Sequence, residues 1–355
     1  MTKFSNESVV LGLSGGVDST TAALLLKNKG LNVIGLFFDI QTTNLEGKER
    51  AEKAAKELGI KFIYKNVADD FNDKIIGNFV SEYLHGRTPN PCIMCNPLIK
   101  FKILEQAADE VGAKYIATGH YANTVFNKET NCTLIKMADN IKKDQSYMLY
   151  RLPTTIIERL ILPLCEFEDK EDVRNIARAN NLSNANLKDS QEICFINKTE
   201  NYIEYLERTG NKLPKGEFID KNGNVLGTHE GIHKYTIGQR KGLGITFGKP
   251  VFVTKINHLD NTITLGEQED LFKDTIYSTN NFFQETNSSL LPKSLEGRLV
   301  KAKIRYASKP CDATLSTDGG DRLKINFKEK QRAATPGQSV VIYLDNMVVG
   351  GGFIE

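Results

Sequence analysis

Nine residues near the start of the chain, Leu11 to Ser19, read L-G-L-S-G-G-V-D-S and limit the fold more than any other stretch. The apolar run from Val9 to Leu13 feeds in as a short buried strand, and the helix-patterned run from Thr20 to Lys29 leads out. Paired glycines between them, Gly15 and Gly16, allow a turn with φ > 0 and let backbone N–H groups converge on an anion. The helix N-terminus adds its own unpaired N–H groups and positive dipole end. Ser14 and Ser19 offer hydroxyl donors to phosphate oxygens; Asp18 is placed to cap the helix or hold Mg²⁺. Two other phosphate loops are excluded by spacing. No lysine follows Gly16, as G-x-x-x-x-G-K-[ST] requires, and G-x-G-x-x-G is absent.

Further strands are expected over 32–39, 61–64 and 115–118, and helices over 46–58, 71–84, 99–111 and 169–180. Gly59 reads as a helix C-cap, and the proline-rich stretch 86–97 as a loop. Alternating strands and helices predict an α/β fold, a parallel sheet with helices on both faces. Ligands of such sheets bind at the strand carboxyl ends, where the glycine loop, Phe38 and Gly119-His120 all fall. Phe38 is placed to pack on an adenine ring. From Thr209 the pattern changes. A linker over 213–216, a turn over 220–224 and a hairpin over 251–265 precede short strands from Tyr277 onward, which suggest a small β-barrel. The expected division is an ATP-binding catalytic domain over 1–207, a small central domain over 208–272 and a C-terminal β-barrel over 273–355.

The net charge of +2 over 355 residues says little, but its distribution says more. Neither 231–259 nor 297–311 contains an acidic residue, while each carries several lysines and arginines; two such stretches suggest a surface for a polyanion. The N-terminal residues M-T-K-F-S-N-E-S lack a signal-peptide core and no run reaches transmembrane length, so a cytoplasmic protein without membrane contact is expected. In that setting the six cysteines point to reactive thiols or a metal site before a structural disulfide framework.

The loop resembles the S-G-G-x-D-S pyrophosphate loop of the ATP pyrophosphatases, which split ATP between the α- and β-phosphates. Together with T-P-N-P-C-I-M-C-N around Cys92 and Cys95 and K-D-S-Q-E-I-C-F-I around Cys194, it resembles the tRNA-specific 2-thiouridylase family (MnmA). Further blocks continue the likeness in order: Gly119-His120-Tyr121-Ala122, Lys143-Asp144-Gln145-Ser146-Tyr147, the run 235–244, Arg305-Tyr306, Pro336-Gly337-Gln338-Ser339 and Gly350-Gly351-Gly352. The resemblance implies ATP-dependent 2-thiolation of the wobble uridine of tRNA, with the C2 carbonyl activated as an adenylate. It implies that Cys194 carries a persulfide from a sulfur-relay donor protein and that Cys95 is its partner nucleophile, the second thiol that either releases the sulfur as sulfide or resolves the enzyme as a Cys95–Cys194 disulfide. By the same carry-over, Gly12, Leu13, Ser14, Gly15, Gly16, Val17, Asp18 and Ser19 hold ATP and Mg²⁺, with Phe38 and Gly119. Asn90, Pro91 and Cys92 meet the target base, and His120, Lys143, Asp144, Gln145, Arg305, Tyr306 and Gln338 fall at tRNA-contact positions.

Cys92 departs from the pattern, since many members carry Asp there. Three readings stay open: a bystander thiol, an auxiliary redox partner, or a ligand with Cys95 and Cys194 for an iron–sulfur cluster. A zinc site would want a fourth ligand and a second cysteine pair. Two other functions compete, a small-molecule synthetase using the same loop and a non-catalytic tRNA-binding or sulfur-carrier relative. The first gives no reason for the Cys95/Cys194 pair, and the intact Ser14–Ser19 loop argues against the second.

Overall fold

The structure is a computed structural model, and it describes residues 7–41, 45–167, 169–187, 193–245 and 248–355. The first six residues of the N-terminal stretch and Lys188 to Glu192 of the Cys194 neighbourhood lie outside the described residues. The chain divides into two compact units.

The first unit takes in Met1–Ile75, Cys92–Gln191 and Asp345–Val349. Its centre is a five-stranded parallel sheet. The strands are β1 (Ser8–Gly12), β2 (Asn32–Asp39), β3 (Lys61–Asn66), β4 (Tyr115–Ala117) and, after a hairpin of β5 (Asn123–Asn127) and β6 (Cys132–Lys136), β7 (Leu160–Ile161). Their order is β3-β2-β1-β4-β7, which reverses at β1. Val9, Val10 and Leu11 of β1 are fully buried, as a continuous apolar run must be when both sheet faces are covered. Val9 and Leu11 pack with Ala22, Ala23 and Leu26 of α1 (Val17–Asn28), Ala51 and Ala55 of α2 (Leu45–Leu58), and Val173 and Ala177 of the helix Lys170–Ala179. Gly12, on the opposite side of the pleat, approaches Leu104 of the helix Phe101–Glu110. Gly59 ends α2 at φ 62°, with the Ile60 amide donating back to the carbonyl of Ala55.

The proline-rich stretch expected as a loop is largely helical. A helix Pro91–Cys95 passes through a π-helical turn Asn96–Lys100 into Phe101–Glu110. Pro91 opens the helix, where its missing N–H costs nothing. Pro97 falls in the wider turn, which tolerates an interruption that a regular α-helix would not. The Asn96 side chain donates to the carbonyl of Met148 at 2.8 Å and fixes that turn.

The second unit takes in Ile76–Pro91, Glu192–Leu344 and Gly350–Glu355. Strands β8 (Gly216–Ile219), β9 (Val225–His229), β10 (Phe252–Asn257) and β11 (Thr262–Gly266) form a sheet in the order β10-β11-β8-β9. Its core holds Phe218, Tyr235, Val253, Ile263 and Leu265. Six further strands follow: β12 (Phe272–Phe283), β13 (Leu299–Lys303), β14 (Cys311–Thr317), β15 (Leu323–Arg332), β16 (Ser339–Leu344) and β17 (Met347–Ile354). They run in the order β12-β15-β14-β13-β16-β17, and β17 closes on β12 through the pairs Ser278–Ile354 and Phe282–Gly351. This closed barrel leaves no open edge. The glycines near the chain end make the closure fit: a Cβ on Gly352 would lie 1.9 Å from the Asn281 side-chain oxygen, and one on Gly350 would lie 2.6 Å from the carbonyl oxygen of Phe282.

Candidate nucleotide site and cysteine centres

The glycine loop leaves β1 at its carboxyl end, where the strand order reverses, the place where open α/β sheets hold ligands. Gly15 has φ 74°, and a Cβ there would fall 2.7 Å from the Ala51 nitrogen of α2. Gly16 is the N-cap of α1 and no side chain caps that helix, so its first amides are left for an anion. Ser14 and Ser19 hydroxyls lie 3.0 Å apart, and the Ser14 amide donates to Ser19 Oγ at 3.2 Å. From behind, buried Asn184 donates to the carbonyl oxygen of Gly15 at 2.9 Å and to Thr20 Oγ1 at 2.5 Å.

Asp18 does not cap the helix. Its carboxylate accepts from the Tyr121 hydroxyl at 3.0 Å and from Lys170 Nζ at 2.8 Å. Both oxygens are thus engaged, which fits a loop latch better than a direct Mg²⁺ ligand. Gly119 presses on this turn: a Cβ there would meet the Asp18 carbonyl carbon at 3.0 Å and the Ser19 nitrogen at 3.1 Å.

These elements enclose a cavity of about 270 Å³. Seven of the residues expected at the nucleotide line it: Gly12, Leu13, Ser14, Asp18, Ser19, Phe38 and Gly119. Gly15 and Val17 lie behind the loop, Val17 buried in the core. His120 and Gln145, expected at the tRNA, also line this cavity, beside Phe37, Lys100 and Thr118. The His120 ring lies against Phe101, 6.0 Å between centroids, with Nδ1 2.8 Å from Thr118 Oγ1. Burial, reinforced by the charge of Lys100, holds His120 well below the usual histidine range, so the ring is neutral at pH 7. Gln145 accepts from the Tyr121 amide at 3.0 Å. Phe37, Lys100 and Thr118 were not read from the sequence, nor were Lys170 and Asn184. Lys100 carries the one retrievable signal, a cation five residues after Cys95 in C-N-P-L-I-K.

Asp144, expected at the tRNA, is held inside its own loop. It is buried, and its carboxylate accepts from the amides of Ala138 and Ser146 and from the Ser146 hydroxyl, shaping the loop that exposes Lys143. Pro91 is likewise buried as the first residue of its helix, while Asn90 before it is half-buried. In the second unit the Arg305 guanidinium donates to the Ala333 carbonyl and, at 3.1 Å, to Thr335 Oγ1; Tyr306 beside it is exposed. Gln338 donates to the carbonyl oxygen of Thr88 at 2.7 Å.

Cys95 ends the helix Pro91–Cys95 and is half-buried; Cys92, one turn earlier, is exposed. Burial pushes the Cys95 thiol up, opposed first by the Lys100 charge, while Cys92 raises it further. Cys194 is exposed, and its neighbour Phe195 is buried edge-on against Phe79 at 5.2 Å and Tyr205 at 5.5 Å. Among the described residues no group of three or more His, Cys, Asp or Glu side chains is gathered to hold a metal ion. Nor, among them, is any helix long and apolar enough to cross a membrane.

A phosphate-type loop at the switch point of a parallel sheet, with an aromatic side chain in the same cavity, defines an α/β nucleotide-binding protein. Three family models match in order: the tRNA methyl transferase HUP domain over residues 7–198, the tRNA methyl transferase PRC-barrel domain over 203–267 and the aminomethyltransferase beta-barrel domain over 276–354. The tRNA-specific 2-thiouridylase MnmA of Clostridioides difficile is 45% identical over 99% of both chains, and that of Clostridium perfringens 46% identical over 99% of both. A solved structure described as a predicted subunit of tRNA methyltransferase from Methanocaldococcus jannaschii matches at a TM-score of 0.32 and 20% identity, covering 49% of this chain and 76% of the other. The chain belongs to the MnmA family.

Proposed function

We propose that the protein is a tRNA sulfurtransferase that uses ATP to replace the C2 oxygen of the wobble uridine by sulfur. The supporting observation is the cavity that gathers Ser14, Asp18, Ser19, Phe38 and Gly119 at the carboxyl ends of β1, β2 and β4. Its dimensions and chemistry suit an adenine nucleotide: amides and hydroxyls for phosphate, and an aromatic face for the base. The family-model descriptions speak of methyl transfer, but a phosphate loop has no part in holding a methyl donor, whereas adenylation needs one.

The C2 oxygen attacks the α-phosphorus of ATP and pyrophosphate leaves, which makes that oxygen a good leaving group. The terminal sulfur of a Cys194 persulfide, supplied by a sulfur-relay protein, then attacks C2 and AMP departs. The Cys95 thiolate attacks Cys194 Sγ, the S–S bond to the substrate sulfur breaks with its electron pair passing to that sulfur, and 2-thiouridine leaves. A Cys95–Cys194 disulfide remains, to be reopened by a dithiol reductant. Two thiols suffice for this route, so it is preferred over a cluster at Cys92, Cys95 and Cys194. Mg²⁺ would enter with the nucleotide and offset the charge of its phosphates. The three-domain division fits this work, with the chemistry before residue 208 and the basic stretches after it serving the tRNA; the protein acts in the cytoplasm.

The test is to incubate the protein with ATP-Mg²⁺, a persulfide donor and unmodified tRNA, then to measure thiouridine and pyrophosphate together. Pyrophosphate released without tRNA, and no thiouridine with it, would point to a small-molecule synthetase. Neither product would point to a binding or carrier protein.

A further inference from the structure

We propose that Lys100 orders the reaction: its ammonium binds the nucleotide phosphate while the adenylate lasts and is returned to the Cys95 thiol when AMP leaves. The inference rests on the function proposed above. Lys100 lines the cavity with Ser14, Asp18 and Ser19, and it sits at the end of the π-helical turn that begins directly after Cys95. A wider turn at this point carries the lysine from the cysteine helix to the nucleotide cavity, and single π-turns inside helices recur at functional sites. Its charge reaches two neighbours in the same unit, His120 and Cys95. His120 is neutral and takes no share of it as an ion pair.

Cys95 has a conflict to resolve. Burial and the neighbouring Cys92 disfavour its thiolate, and among the described residues the Lys100 charge favours it. The resolving step consumes that thiolate, but only after C2 has been thiolated. If Cys95 ionised earlier, it would attack the Cys194 persulfide directly, forming the disulfide and discharging the sulfur as hydrosulfide. A cation shared between phosphate and thiol prevents this. With phosphate in the cavity, the field at Cys95 is largely cancelled; with AMP gone, it is restored.

The probe is α,β-methylene-ATP, which cannot be split between the α- and β-phosphates, with adenosine as the neutral control. Alkylation of Cys95 by iodoacetamide is followed by mass spectrometry, resolved from Cys92 by fragment ions. In wild-type protein the nucleotide should slow Cys95 alkylation about fivefold to tenfold, because a charge that favours the thiolate is then shared with phosphate, and adenosine should not. Lys100→Met should react slowly with or without nucleotide and bind the nucleotide about tenfold more weakly. Lys100→Arg should restore both responses in part, which a packing role alone would not explain. Equal slowing by adenosine would mean simple occlusion and would overturn the inference. So would wild-type alkylation and affinity in Lys100→Met. If the nucleotide fails to bind wild-type protein at all, it is the functional reading that fails.

Discussion

Asp18 and Lys170 form an ion pair of 2.8 Å that joins the first turn of α1 to the first residue of the helix Lys170–Ala179. With the Tyr121 hydroxyl on its other oxygen, the Asp18 carboxylate is held from two sides next to the cavity. A negative charge this close to a phosphate site is tolerable only when neutralised.

Asp18→Ala should therefore abolish thiolation, because the loop loses its anchor, while tRNA affinity stays nearly unchanged. Lys170→Met should raise the nucleotide Kd about tenfold, or ~1.4 kcal/mol, by leaving the carboxylate to repel phosphate. Calorimetric titration with α,β-methylene-ATP measures the second effect and a thiouridine assay the first. A Lys170→Met protein with unaltered affinity would remove the latch from the account.

Gly119→Ala should be more damaging than its size suggests. The added methyl would stand 3.0 Å from a backbone carbon of Asp18 and 3.1 Å from the Ser19 nitrogen, neither of which swings aside as a side-chain end can. The β4 turn must retreat from the glycine loop, at a cost of roughly 1–3 kcal/mol, the usual range for overpacking. A fall in melting temperature together with weakened nucleotide binding is expected. Ala122, three residues on and fully buried, offers a control: Ala122→Gly should lower stability without touching the nucleotide.

The glycine loop, the parallel sheet and the barrel were legible because their signals are local. An apolar run before S-G-G-V-D-S fixes a buried strand, and the closely spaced strands after Tyr277 fix a barrel. What escaped lies in tertiary contacts. Asn184 is a single polar residue in an unremarkable stretch, yet it holds the Gly15 carbonyl. That His120 and Gln145 line the nucleotide cavity was hidden too, because position in the chain does not reveal which way a strand end turns. Nothing in the sequence around Asp144 shows that it is buried and accepts hydrogen bonds from Ala138 and Ser146. The helix Pro91–Cys95 was hidden by prolines that fit a helix start and a π-turn.

Acid should destabilise the protein near neutrality. His120, His229 and His233 all have their folded-state titration pushed below the ordinary value by burial, His120 farthest. The unfolded chain thus binds more protons just below pH 6.5, so stability is fully present above that pH and falls as pH drops toward the folded-state values. Urea midpoints from pH 8 to pH 5 should decline, and His120→Gln should flatten part of the slope. An unchanged slope in that variant would assign the acid sensitivity elsewhere.

Binding of tRNA should weaken steeply with salt. The stretches 231–259 and 297–311 contain lysines and arginines but no acid, and each phosphate contact releases about one counterion. Lys241→Glu, on an exposed residue of the first stretch, should reduce the slope of log K against log salt by about one or more. A slope near zero for the wild-type protein would count against a basic tRNA surface.

The three cysteine variants separate the sulfur chemistry. Cys194→Ser should lose persulfide formation and thiolation together, because a hydroxyl neither accepts nor carries the sulfur. Its backbone should hold, since the anchor at this point is buried Phe195 and the cysteine itself is exposed. Cys95→Ser should still accept a persulfide on Cys194 and attack the adenylate once, then stall with the tRNA joined to Cys194 through a disulfide that a reductant releases as 2-thiouridine. Trapping that adduct on a non-reducing gel would identify Cys95 as the resolving thiol. Cys92→Ser should remain active in aerobic protein given a persulfide donor, because neither step uses it, and Cys95 alkylation in that variant should quicken slightly, since Cys92 is one of the groups that raises the Cys95 thiol. Loss of iron and activity together in Cys92→Ser, from brown wild-type protein purified without oxygen, would replace the persulfide route by a cluster. An active Cys194→Ser enzyme would overturn both.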